Sequence, residues 1–185
     1  MTKTFSAQRM ILCALFAALI AVGAFIKIPV PVVPFTLQLL FTTLAGMFLG
    51  PRLGTASVLV YLALGLAGLP IFAQGGGPGY VLIPSFGYLI GFVAGTYITG
   101  KITGKSAAPS IKRLLAAGLV GLAVVYLIGM AYYYVICNYV IGTPIAFWPL
   151  FLYCFLLAVP GDIVLCILCA ILGHRIMPQV REYIS

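Results

Sequence analysis

Acidic residues are nearly absent from this chain. Asp162 and Glu182 are the two in 185 residues, and His174 is the one histidine. With two acids, one histidine and cysteines that read as packing residues, no metal site is expected. Asp162 is the one acid inside an apolar segment, which excludes an intramembrane aspartyl dyad within one chain. Charged residues of both signs reach 6%, against 64% hydrophobic, and mean hydropathy is +1.23. A soluble domain carries roughly 25% charged residues. A chain this apolar cannot cover its surface for water, so its solvent is lipid. Each spanning helix needs about 20 largely apolar residues, so the length allows roughly six spans and no separate soluble domain. The expected fold is an all-α integral membrane protein of six transmembrane helices, a single transmembrane domain over residues 1–185.

A nucleotide site is missing too. Gly104-Lys105-Ser106 resembles the end of a P-loop, but Thr99 stands where that motif needs glycine and Gly100 is one residue late. The chain has no means of its own to use ATP. Nothing supports an enzyme, a cofactor or a nucleic-acid partner. The five cysteines all lie in apolar surroundings. Cys166 and Cys169 form a CxxC with no second ligand pair, which reads as packing on a buried helix.

What is there reads as spans and loops. Lys3 and Arg9 precede an apolar run from Met10 to Ile26, longer than the core of a leader peptide, so it is expected as a retained span over 7–26. KIPVPVVP (27–34) breaks it, because proline removes donors and fixes extended backbone. Further spans are expected at 35–49, 53–69, 85–99 and 114–139. The separators are a tight turn at Gly50-Pro51-Arg52, a Gly/Pro stretch at 70–84 and a basic loop at 100–113. The last span is either 149–172 or 160–176. The second is preferred, since proline suits a first helical position and an acid in the first turn meets the positive dipole end. Residues 143–159 then form a short helix or re-entrant segment, with Trp148 and Tyr153 in an aromatic belt.

With a cytoplasmic N-terminus, Lys3, Arg9, Arg52, Lys101, Lys105, Lys112, Arg113, Arg175 and Arg181 fall inside. Lys27 alone of the ten Lys and Arg residues falls outside. That is a strong positive-inside bias, and it puts both termini in the cytoplasm of a multi-pass cell-membrane protein. The outer loops are Gly/Pro-rich and nearly uncharged, which suits capture of a solute from outside.

Asp162 is the first candidate for binding. A carboxylate in a membrane segment costs several kcal/mol unless it is paired or faces a cavity. Ionised, it only accepts hydrogen bonds, so it suits a ligand with N–H groups or a cation. The competing roles are a helix cap or a salt bridge to Lys27, which is expected near the same outer mouth. Gln74-Gly75-Gly76-Gly77-Pro78-Gly79-Tyr80 lets backbone approach a ligand or simply turns the chain. Gln38, with Thr36, Thr42 and Thr43 nearby, reaches a cavity or bonds another helix. Small residues repeat four apart at Ala14/Ala18, Ala17/Ala21, Gly46/Gly50 and Gly87/Gly91/Gly95. These ridges serve close helix packing, or one of them docks a partner.

Nearly the whole chain resembles the biotin-specific substrate-binding subunits (BioY) of energy-coupling-factor transporters. The likeness rests on Ile28-Pro29-Val30-Pro31 with Pro34-Phe35-Thr36-Leu37-Gln38, then Ala45-Gly46 and Leu49-Gly50-Pro51-Arg52-Leu53-Gly54. It continues through Tyr61, Gly65, Gly68-Leu69-Pro70, Gly75 to Tyr80, Pro84 to Phe92, and Pro160-Gly161-Asp162. The resemblance implies a six-helix bundle with an outward-facing cavity covered by the first and third loops. It implies biotin as ligand, with Asp162 and the loop glycines Gly75, Gly76, Gly77 and Gly79 meeting its head group. Tyr80, Tyr88, Gln38 and Lys27 complete the expected binding set. It also implies a transmembrane coupling subunit with two cytoplasmic ATPases, docked at Ala14 and Ala18, and rotation of the loaded subunit in the membrane. Family members often carry a lysine three residues after the aspartate, where this chain has Leu165; Lys27 is the candidate replacement. The glycine loop here reads Gly77-Pro78, and Ser85 follows its last proline. The alternatives are another vitamin or acid such as lipoate, a secondary transporter coupled to protons through Asp162, and a packing subunit that transports nothing.

Overall fold

A computed structural model describes residues 7–28, 35–104, 106 and 108–184. Lys3, Lys105 and the prolines of 29–34 lie outside the described residues. Nearly all of the described chain is helical. The first helix, α1, spans Ala7–Phe25. A short antiparallel pair follows, β1 (Lys27–Ile28) with β2 (Phe35–Thr36), in the register Lys27 to Thr36 and Ile28 to Phe35.

The second helix, α2 (Gln38–Leu66), is folded on itself. Its corner is Gly50, at φ 79 and ψ −178, followed by Pro51. A positive φ is open to glycine and strained for other residues, and proline disfavours helix in the residue before it. The fold-back is visible in the hydrogen bond from Gln38 Nε2 to Tyr61 Oη, 2.8 Å across 23 residues. A straight helix would hold those residues roughly 35 Å apart. The limbs 38–49 and 51–66 therefore lie side by side, with the expected turn between them.

After a loop containing a 3₁₀ turn (Pro78–Leu82), α3 runs Phe86–Thr103. Helix α4 runs Ile111–Val135 and widens into a π-helical stretch, Ile136–Ile141. Helix α5 (Phe147–Phe151) passes into a second such stretch, Leu152–Leu156. Helix α6 runs Val159–Ile184. Its start agrees with the preferred edge at Pro160, with Asp162 in the first turn. Its end lies beyond the expected 176. Met177, fully buried, packs in a cluster with Met47, Leu114 and Cys169, which holds the helix past the apolar run.

Four helical stretches are long and apolar enough to cross a membrane: Ala7–Phe25, the folded Gln38–Leu66, Ile111–Ile141 and Phe147–Val180. Helix α3 packs between α2 and α4, with glycine at both seams. A Cβ at Gly46 would fall 2.6 Å from the Thr96 carbonyl, and one at Gly91 would fall 2.8 Å from that of Val125. Thr96 Oγ1 also donates to the Thr42 carbonyl (3.2 Å), and Thr99 Oγ1 to that of Ala117 (3.2 Å). Gly46 and the Gly87/Gly91/Gly95 ridge therefore serve internal packing, whereas Gly50 makes the corner. On α1 the two alanine ridges part company: Ala17 is buried, whereas Ala14 and Ala18 are exposed.

Candidate functional site

The turns divide the molecule into two ends. At one end lie the Gly50 corner and the 104–110 loop, and with them Arg9, Arg52, Lys101, Lys112, Arg113 and Arg175. At the other end lie the β1–β2 pair, the 67–85 loop and the start of α6, and Lys27 is the one Lys or Arg there among the described residues.

A cavity opens at this second end, with a volume of about 70 Å³, room for a few water molecules. Phe35 and Thr36 come to it from β2, Gln38 and Leu39 from α2, and Tyr88, Leu89 and Phe92 from α3. Leu122, Val125 and Tyr126 come from α4, Cys154 from the second π stretch, and Ala158 and Asp162 from the α6 end. Ala73, Tyr80 and Ser85 close it from the loop. The walls are thus largely aliphatic and aromatic, with a few polar groups.

Asp162 is 8% exposed. Its Oδ2 accepts a hydrogen bond from Tyr126 Oη at 2.5 Å. The competing role, a salt bridge to Lys27, is not the arrangement found. Lys27 Nζ donates instead to the Ala73 carbonyl, 2.8 Å away, tying the β1–β2 pair to the loop. Gln38 is buried and doubly engaged: its Oε1 accepts from Thr36 Oγ1 (3.3 Å) and its Nε2 donates to Tyr61 Oη. Tyr61 Oη donates in turn to the Ile71 carbonyl (3.1 Å). Tyr88 Oη donates to the Cys154 carbonyl (3.4 Å).

Four of the expected binding residues, Gln38, Tyr80, Tyr88 and Asp162, therefore share one cavity. Gly75, Gly76, Gly77 and Gly79 are not on its wall; they shape the loop above it. Phe72 and Gly75 exchange backbone hydrogen bonds, and the Gly77 N–H donates to the Gly65 carbonyl at 2.7 Å. Gly77, at φ 99, starts the 3₁₀ turn that buries Tyr80. Burial pushes the Tyr80 phenol above its ordinary range, which keeps it a neutral donor. Lys27 stands at the rim.

Tyr126 is the wall residue that sequence reasoning missed. A signal was present: it lies on the face of α4 carrying Gly118, Leu122, Val125 and Gly129, all buried. A phenol on an otherwise small and apolar helix face brings a polar tip into the interior, where it needs a partner.

Comparison with known proteins bears on the family and the fold. A family model described as "BioY family" matches residues 1–182. A probable biotin transporter BioY from Lysinibacillus sphaericus is 44% identical over 182 residues, covering 98% of this chain and 93% of that protein. A biotin transporter BioY from Rhizobium etli is 32% identical over 183 residues, covering 93% and 94%. A crystal structure of the S-component for biotin from an ECF-type ABC transporter superposes with a TM-score of 0.74 at 28% identity, over 95% of this chain and 94% of that one. Matched by that family model over nearly its whole length, and by these relatives, this chain belongs to the BioY family.

Proposed function

We propose that this chain is the substrate-binding membrane subunit of an ATP-driven importer, and that it captures biotin outside the cell and delivers it to the cytoplasm. The observation that carries the reading is Asp162 on the wall of an otherwise largely apolar cavity at the cation-poor end. Of its two oxygens, Oδ2 is held by Tyr126, and Oδ1 accepts no hydrogen bond from the described residues. Biotin's ureido ring brings two N–H donors that point to opposite sides, and the Asp162 carboxylate can accept one of them. Its fused thioether ring and alkyl tail suit walls such as Leu89, Phe92, Leu122 and Val125. Its tail carboxylate then points to the rim, where Lys27 replaces the lysine absent at Leu165. The glycine loop, through Gly75, Gly76, Gly77 and Gly79, closes on the head group together with Tyr80, while Tyr88 and Gln38 shape the interior.

The chain crosses the membrane six times in this reading, with the two limbs of α2 counted separately and both termini cytoplasmic. Clustering of Arg52, Lys101, Lys112, Arg113 and Arg175 at one end supports that orientation. The cavity then faces outward. The exposed Ala14 and Ala18 dock a transmembrane coupling subunit, which carries two cytoplasmic ATPases. Small residues on a lipid-facing helix favour close approach of another helix.

Titration of the purified protein with biotin tests the reading. Saturable binding is expected, weakened about 10- to 100-fold in Asp162→Asn, as loss of a charge-assisted hydrogen bond implies. A wild-type protein that ignores biotin overturns it.

A further inference from the structure

The ring of Tyr126 is held from both sides. It packs edge-on against Tyr88, with centroids 5.8 Å apart at 85°, and against Phe155, 5.3 Å apart at 79°. Phe155 is braced in turn by Phe151, stacked at 4.9 Å and 20°. The phenol therefore has little freedom, and its hydroxyl meets Asp162 Oδ2 at 2.5 Å. That hydroxyl is the one hydrogen-bond donor to the Asp162 carboxylate among the described side chains, and no Lys, Arg or His pairs with it. Asp162 sits in the first turn of α6, after the π-helical stretch that ends at Leu156.

We infer that Tyr126 is a positioning residue for ligand recognition: its clamped hydroxyl fixes the Asp162 carboxylate so that the second oxygen faces one ureido N–H of the ligand. The inference rests on the biotin reading. Tyr126 belongs to α4 and Asp162 to α6, so the bond also sets the spacing of these two helices across the cavity. An acceptor held in one orientation separates ligands by where their N–H donors lie, because a misplaced donor leaves buried polar groups unpaired. Tyr126 thus sets selectivity for the ureido group, acting through Asp162 rather than by its own bulk.

The test uses the full-length protein in lipid nanodiscs. Affinities for biotin and for an analogue methylated on both ureido nitrogens are measured in wild type, Tyr126→Phe, Asp162→Asn and the double variant. Tyr126→Phe is expected to weaken biotin about tenfold. It should leave the methylated analogue unchanged, and should cost nothing further once Asp162→Asn is present. Equal losses for both ligands, additive losses in the double variant, or an unchanged biotin affinity would each overturn the inference. Phe155→Leu frees the ring while keeping the hydroxyl and serves if Tyr126→Phe does not fold. A selective loss of about threefold for biotin supports the inference, and an equal loss for both ligands overturns it. Failure of the underlying reading looks different: wild type then binds no biotin, or Asp162→Asn binds it as wild type does.

Discussion

A lone acid in an apolar helix is conspicuous, and Asp162 could be read from the sequence for that reason alone. Tyr126 could not be singled out in the same way, since it is one of 11 tyrosines and its role depends on which helix lies opposite. Gln38 shows a third case. Its polarity within a span suggested either a cavity or helix-to-helix bonding, and the structure places it at both, on the cavity wall and bonded to Tyr61. Gln38→Leu is expected to cost about 1–2 kcal/mol, since it leaves Tyr61 Oη with the Ile71 carbonyl alone and takes away the acceptor of the Thr36 hydroxyl, which keeps the backbone N–H of residue 38. A lowered unfolding temperature in detergent checks this. Lys27 acts at the same scale. Lys27→Met removes the bond to Ala73 and the cation at the rim, so uptake at low external biotin should fall sharply. Unchanged affinity would remove Lys27 from the binding set.

Among the elements, α1, the Gly50 corner and the start of α6 were legible because each has a local cause: an apolar run of the right length, a glycine-proline pair, a proline followed by an acid. The two π-helical stretches were not legible. Apolar periodicity does not distinguish i+4 from i+5 pairing, and neighbouring helices decide it. The extension of α6 past 176 was hidden for a similar reason, since Met177 is held by residues of other helices. The span count is the least transparent feature. At 12 and 16 residues, the α2 limbs are about 18 and 24 Å long, short against a hydrocarbon core of about 30 Å. Corner and seam can be tested separately. Gly50→Val forces a branched residue to positive φ and is expected to cost about 1–3 kcal/mol. Gly91→Leu drives a side chain into the α4 backbone, and it should reduce folded yield more than Gly50→Val does, as seen by size-exclusion profile.

For the whole molecule, the separation of charge from cavity is the organising fact. One end is basic and the other holds the Asp162 cavity, and the proposed orientation sets that cavity outward. Membrane-impermeant thiol labelling checks it in a background without native cysteines. A cysteine at 27 should label from outside intact cells, and one at 101 only after lysis. The proposed partner surface gives another expectation. Ala14→Trp and Ala18→Trp alter an exposed face of α1 far from the cavity, so they should abolish uptake in cells while biotin affinity of the isolated protein stays within about twofold. A variant that loses both would place this face inside the fold.

The clasp between Lys27 and the third loop has one mutable half. Its acceptor is main chain, so position 73 can change identity without opening it, whereas a replacement at 27 that lacks a long side-chain donor lets go. Paired substitutions will therefore not mark this contact in related sequences. A chain that loses the lysine has to fasten its two flaps somewhere else.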